Sequence, residues 1–283
     1  MLTTAIVLIF IGSIFAELSL SVGKFESNNK GEGIYSMAFL NTLGAFLVFF
    51  TLFLLKHNTL TFSAASIPLI LLLIGFEFVQ MRVTNMAVIR ADRSIVSLIK
   101  SLTIPLLIIV DVFMGYSLSM ATIIGCTVLF SGIGIVFLHH TNKKQHLLYP
   151  ILSAVNAVIT ISIYKYLITN YNSVITQQLI VYGCLLIYSV FGIVYAEKTT
   201  ISKIIKNKLR DSQIASSAFA TVLFSFAYKF APASLVIAVE RSLLVLFSLI
   251  SGRFEFKEHV GKVRIFSAFM IIIGLIIISG LVF

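Results

Sequence analysis

The feature that most constrains this chain is a succession of long apolar blocks, each the length a helix needs to cross a bilayer. A hydrocarbon core of about 30 Å takes about 20 helical residues. Blocks of that size run at about 3–23, 34–55, 66–89, 94–114, 118–138, 147–168, 173–195, 213–230, 233–251 and 264–283. Runs such as Leu69–Ile74 and Ile271–Leu275 do not alternate, whereas strands of a membrane barrel alternate in segments of about ten. The predicted fold class is therefore an all-α integral membrane protein with ten transmembrane helices. Composition supports it: apolar residues make up 59% of the 283 residues and charged residues only 11%. A soluble fold could not hide that much apolar surface.

The first block begins almost at Met1, lacks a basic leader and carries Glu17, so it reads as a permanent helix and not a cleaved signal. Cys126 and Cys184 lie inside apolar spans, which suggests neither a disulfide framework nor a zinc site. The net charge of +10 points to loops held at a cytoplasmic face in preference to nucleic acid. Loops after helices 1, 3, 5, 7 and 9 hold fifteen lysines and arginines, and loops after even helices hold only Lys56 and Lys229. On that count the odd loops face the cytoplasm and both termini lie outside. The loop from Glu197 to Ser212 reads as a solvated basic loop or as a short amphipathic helix on anionic lipid. His139, His140 and His146 cluster in a loop without a carboxylate or thiol, so no metal site is expected there.

The chain also repeats itself. Sliding it by 140 residues sets Ala87 on Ala227, Ala91 on Ala231, Ser94 on Ser234, Val96 on Val236, Leu106 on Leu246 and Gly134 on Gly274. One ungapped offset on equivalent helices suggests a duplication into halves spanning 1–140 and 147–283. Five helices per half is an odd number, so the second half enters the membrane from the opposite side. Transporters built as inverted repeats hold substrate at the repeat interface near the midplane.

The stretch Ala87–Phe137, with Ser94-Ile95-Val96, Ser101-Leu102-Thr103-Ile104-Pro105, Gly125 and Ser131-Gly132-Ile133-Gly134, resembles an EamA-type half of the drug/metabolite transporter superfamily. Ala227–Ile277, with Ala231-Pro232-Ala233-Ser234 and Glu240, resembles its second copy. The family's acid after helix 9 is matched by Glu258 or Glu255, while Gly115-Tyr116 stands where the first half would carry one. Gly12-Ser13-Ile14-Phe15-Ala16-Glu17 and Lys24-Phe25 resemble the first helix of the small multidrug resistance branch. The resemblance implies an EamA-like ten-helix transporter with cytoplasmic termini, opposite to the charge count.

Ionisable groups within spans are costly and mark candidate sites. Glu17 reads either as a carboxylate exchanging a proton for substrate or as an acid paired with Lys24, two turns on. The 140-residue offset makes Lys100 and Glu240 equivalent positions; facing one cavity, they would grip a zwitterion, or tie the halves together as an ion pair. Arg241 points about 100° from Glu240, so one of the two is expected to leave the cavity. Glu77, Gln80 and Thr84 form a polar stripe on helix 3, and Asn156 and Tyr164 lie on helix 6 beside Lys165, which can snorkel. Gly12, Gly44, Gly75, Gly125, Gly132, Gly134 and Gly274 read as close-packing positions, and Pro105 as a kink in helix 4.

These features predict a secondary active transporter, exporter or exchanger, of a small organic metabolite such as an amino acid or related compound. It would work by alternating access, with protons as the coupling ion, in the plasma (inner) membrane. A site lined by helices 1, 3, 4, 6, 8 and 9 is expected. No Walker-type phosphate loop is present, so a gradient must supply the energy. No G-x-S-x-G or H-E-x-x-H motif appears, so neither an enzyme nor a cofactor is expected. The alternative on the same fold is a lipid-carrier flippase or a non-transporting membrane partner.

Overall fold

The structure, a computed structural model, describes residues 2–30, 33–55, 61–113, 120–139, 147–201, 204, 208–231, 233–258 and 261–279. The helices are α1 (Leu2–Lys30), α2 (Ile34–Leu55), α3 (Ile67–Arg90), α4 (Arg93–Lys100), α5 (Thr103–Phe113) and α6 (Met120–His139). They continue as α7 (Leu148–Asn170), α8 (Val174–Tyr195), α9 (Lys208–Phe230), α10 (Ala233–Phe254) and α11 (Lys262–Ser279). Among the described residues, seven spans are long and apolar enough to cross a membrane, α4 and α5 together making one of them. The chain is a multi-pass, all-α membrane protein. His140 and His146, the side chain of His139, and positions 202, 203 and 205–207 of the basic loop from Glu197 to Ser212 lie outside the described residues, and the end of that loop from Lys208 on belongs to α9.

The bundle is apolar outside and polar inside, as lipid solvent demands. Leu54, Leu71, Leu72, Phe191 and Phe269 are exposed on its surface. Arg93, Glu26, Gln177 and Gln213 are buried within it. Helix α1 packs on α9 and α10, α2 on α8 and α9, α3 on α7, and α6 on α11, while α4 and α5 pack on α7 and α10. The α6–α11 contact depends on absent side chains. A Cβ on Gly274 would lie 2.7 Å from the carbonyl oxygen of Gly125 and 2.9 Å from the amide of Leu129. Gly44 is likewise pressed onto the Ile214 backbone, whereas a Cβ on Gly75 or Gly134 would meet nothing within 4 Å among the described residues.

One predicted span is broken. The block at 94–114 is two helices, parted at Ser101 and Leu102. Pro105 has no N–H to give the Ser101 carbonyl, and its ring crowds that carbonyl. The backbone tightens instead: Leu102 donates to Ile99 at 2.9 Å and Ile104 to Ser101 at 3.1 Å. The Thr103 hydroxyl takes the Lys100 carbonyl at 2.6 Å. Where a kinked continuous helix is expected, the proline leaves a short polar discontinuity.

The two ends of the bundle differ. One end, called here the basic end, carries the α1/α2, α3/α4, α8/α9 and α10/α11 junctions. There Glu197 accepts from the amides of Tyr35 (2.6 Å) and Ser36 (3.2 Å), capping α2 with a negative charge. The other end carries the α2/α3, α7/α8 and α9/α10 junctions. Asn172 ties it together, accepting from the Ser63 amide at 3.2 Å and donating to Gln177 at 2.8 Å.

Candidate functional site

Three cavities among the described residues bear on the site. The central one, about 180 Å³, is walled by Glu77 and Leu73 of α3, Thr160 and Tyr164 of α7, Gln178 and Tyr182 of α8, and Thr221, Ser225 and Tyr228 of α9. Glu77 is the tenth residue after the start of α3, about 15 Å along the axis and therefore near the middle of the span. Its neighbours are held firmly. Gln178 donates to the Ser225 hydroxyl at 2.8 Å, the Tyr164 hydroxyl to the Ser225 carbonyl at 3.4 Å, and the Tyr164 and Tyr228 rings meet edge to face at 5.8 Å.

A larger vestibule of about 530 Å³ opens at the end opposite the basic one, lined by Thr61, Lys165, Thr169, Asn172 and Lys229 among others. Tyr228 belongs to the walls of both vestibule and central cavity. Lys165 does not snorkel outward. Its ammonium donates to the carbonyls of Tyr228 (2.5 Å) and Ala231 (3.3 Å), closing the C-terminus of α9.

At the basic end an ionic cluster joins five helices. Arg93, 1% exposed, donates to Glu17 at 2.7 Å. The other oxygen of Glu17 accepts from Ser251 at 2.6 Å and Ser21 at 3.3 Å. Glu258 caps α4, accepting from the Arg93 amide at 2.6 Å and the Ser94 hydroxyl at 2.9 Å. Lys24 bonds Glu258 at 3.2 Å and the Ala91 carbonyl at 2.8 Å, and Arg264 pairs with Asp92 at 2.7 Å. Five helices, α1, α3, α4, α10 and α11, are thereby cross-tied. A third cavity, a groove of about 220 Å³ between α1 and α10, is lined by Ile14, Leu18, Phe247, Ile250 and Phe254 with Glu17 and Ser251 in its wall.

The residues singled out in the sequence are dispersed by the fold. Glu77 and Tyr164 face the central cavity together. Gln80 and Asn156 instead bond one another at 2.9 Å, and Gln80 reaches Ser153 at 3.2 Å, stitching α3 to α7. Glu17 belongs to the basic-end cluster, paired with Arg93 and not with Lys24. No ion pair joins Lys100 to Glu240 among the described residues; Glu240 pairs with its neighbour Arg241 at 3.1 Å. Each stands seven residues inside its own span, but from opposite ends, which sets them at different depths. Arg241 returns to Glu240 because its long side chain can bend back across the angle that separates their Cα–Cβ directions. The walls also differ from expectation: the seventh span, α8, contributes Gln178 and Tyr182, while among the described residues the first, fourth and ninth spans (α1, α4 with α5, and α10) contribute none to the central cavity. Sequence reading missed Arg93, Gln178, Tyr182 and Tyr228; Gln178, a polar residue in an apolar span, carried the signal.

No family model and no curated protein matches this chain. Its fold is similar to that of a protein of known crystal structure, with a TM-score of 0.73 at 13% identity over 99% of this chain and 97% of the other. At that identity the likeness speaks for the fold alone.

Proposed function

We propose that this chain is a secondary transporter of small organic solutes, working by alternating access through ten spans in two inverted five-helix repeats. The observation that carries the reading is a polar cavity at mid-span with a vestibule at one end and a dense ionic cluster at the other. That is the arrangement of a carrier resting with one gate open and the opposite gate shut. The packing pairs favour the repeat. Exchanging the first five spans for the last five turns the α1–α9 pair into the α7–α3 pair, and the α1–α10 pair into the contact of α7 with α4 and α5. The α2–α8 and α6–α11 pairs map onto themselves. The broken helix at Ser101 fits the discontinuous spans from which such carriers build their moving parts.

Membership in the drug/metabolite transporter superfamily and residence in the plasma membrane belong to the same proposal. The lipid-facing groove between α1 and α10 favours the flippase alternative, but of its two carboxylates Glu17 is already taken by Arg93 and two serines, and Glu255 is exposed at the basic end. The central cavity has free polar capacity and is the better site. Solute counterflow in liposomes holding the purified protein tests the reading. Modifying Thr169→Cys in the vestibule with a bulky maleimide, in a Cys126→Ser/Cys184→Ser background, is expected to block a saturable flux. Flux equal to empty liposomes, for solutes of every charge type, would defeat it.

A further inference from the structure

Among the described residues, four acids inside the bundle each have a cationic partner and one at mid-span has none. Glu17 has Arg93, Glu26 has Arg210, Glu240 has Arg241 and Glu258 has Lys24. Glu77 forms no ion pair among the described residues and borders a void. A carboxylate at mid-span is costly without a positive partner. Glu77 is also the single charged group among the residues lining that void. We infer that the missing partner is the substrate, and that the central cavity takes a small primary amine bound as its ammonium ion; this rests on the transport reading above.

The rest of the wall suits an ammonium group. Such a group has three N–H donors and needs acceptors for each. Glu77 supplies the charge. The Thr160 hydroxyl interacts with Glu77 itself and lies 3.3 Å from the Ala157 carbonyl, and its oxygen keeps lone pairs that can accept from an ammonium. Tyr182 and Thr221 bring further hydroxyls to the same space. By contrast, Gln178 spends one N–H and Tyr164 its hydroxyl on Ser225, so part of the donor capacity that an anion would need is committed elsewhere, and no positive side chain lines the space. The tyrosine rings offer negative faces, which favour a cation over a neutral solute. At about 180 Å³ the space falls below the roughly 300–1,000 Å³ of drug-sized pockets. Of the two lysines at the vestibule wall, Lys165 and Lys229, Lys165 has its charge held by two carbonyls at a helix C-terminus, which offsets its repulsion of an entering cation.

The test uses purified full-length protein and four probes of one size class: ethanolamine, ethylene glycol, glycolate and choline. Binding is read by calorimetry and by tyrosine fluorescence, which no tryptophan obscures because the chain has none. Ethanolamine is expected to bind at least tenfold more tightly than ethylene glycol or glycolate. Choline, which keeps the charge and loses every N–H, is expected to bind several-fold more weakly than ethanolamine. Glu77→Gln should weaken ethanolamine at least tenfold with its melting profile retained. If that variant does not fold, the ranking on the wild-type protein decides alone. Equal binding of the neutral or anionic probe, equal binding of choline, or no binding of ethanolamine overturns the assignment. Flux in liposomes separates the two readings: glycolate carried in place of ethanolamine would spare transport and overturn the amine, while ethanolamine bound but never carried would spare the amine and overturn transport.

Discussion

Removing the Glu17 charge should be among the most disruptive single changes in the protein, and removing its partner as well should recover much of the loss. Arg93 is 1% exposed and Glu17 is 6% exposed, and they meet at 2.7 Å. Charge centres about 4 Å apart attract by about 4 kcal/mol at an effective dielectric constant near 20. Breaking a buried pair by removing one partner costs about 3–5 kcal/mol, since the other charge is stranded. In Glu17→Gln the amide oxygen still accepts from Ser251 and Ser21, so the loss isolates the charge and not those hydroxyl bonds. Arg93 is then worse placed, because its Nε already has no hydrogen-bond partner. Glu17→Gln and Arg93→Gln should each fall in that range, and the double variant should be destabilised by about 2 kcal/mol or more less than their sum. The assay is reversible unfolding in mixed micelles, titrated with denaturing detergent on all four proteins. Additivity to within about 0.5 kcal/mol would refute the reasoning, because independent sites add to that tolerance.

Other outcomes follow from the same contacts. Gly274→Leu should part α6 from α11, because even a Cβ meets backbone on Gly125 and Leu129; a fall in melting temperature should appear, and Gly134→Leu, where a Cβ would meet nothing within 4 Å among the described residues, should melt as wild type. Pro105→Ala should give the Ser101 carbonyl an i+4 amide in place of the tighter bond from Ile104 and fuse α4 to α5. We expect a protein as stable as wild type or more so, with flux reduced at least several-fold; undiminished flux would remove the break from the mechanism. Glu258→Gln keeps an oxygen to cap α4 but strands the buried Lys24, so it should cost about 3–5 kcal/mol and raise the thiol reactivity of Ser97→Cys in α4, measured by maleimide labelling.

Much of the fold was legible because a bilayer leaves a chain few options. Each apolar block is occupied by a helix, and Pro105 marked the one span that departs from continuity, though a kink underestimated it. The site was harder to read. Glu77 and Tyr164 were legible as polar positions in apolar helices, but so were Gln80 and Asn156, and only three-dimensional packing distinguishes a side chain bonded to the next helix from one facing a void. Lys100 and Glu240 illustrate the limit of repeat arithmetic: equivalence under an inverted repeat sets two residues at mirrored depths, not in contact. Arg93 had the appearance of a loop cation because it begins α4, and nothing local reveals that Glu17, 76 positions earlier, rises to meet it.

The most direct test of the central claim is to clamp the shut gate and ask whether carriage stops. Ser21 of α1 and Ser251 of α10 both reach the same oxygen of Glu17, so Ser21→Cys/Ser251→Cys, with Cys126 and Cys184 replaced by serine, can be joined by a short bifunctional thiol reagent. Uptake of radiolabelled ethanolamine into liposomes is then measured before cross-linking, after it, and after reduction. Alternating access predicts that uptake stops when α1 and α10 are tied and returns when they are released. Uptake that continues unchanged through the cross-linked state would contradict the account.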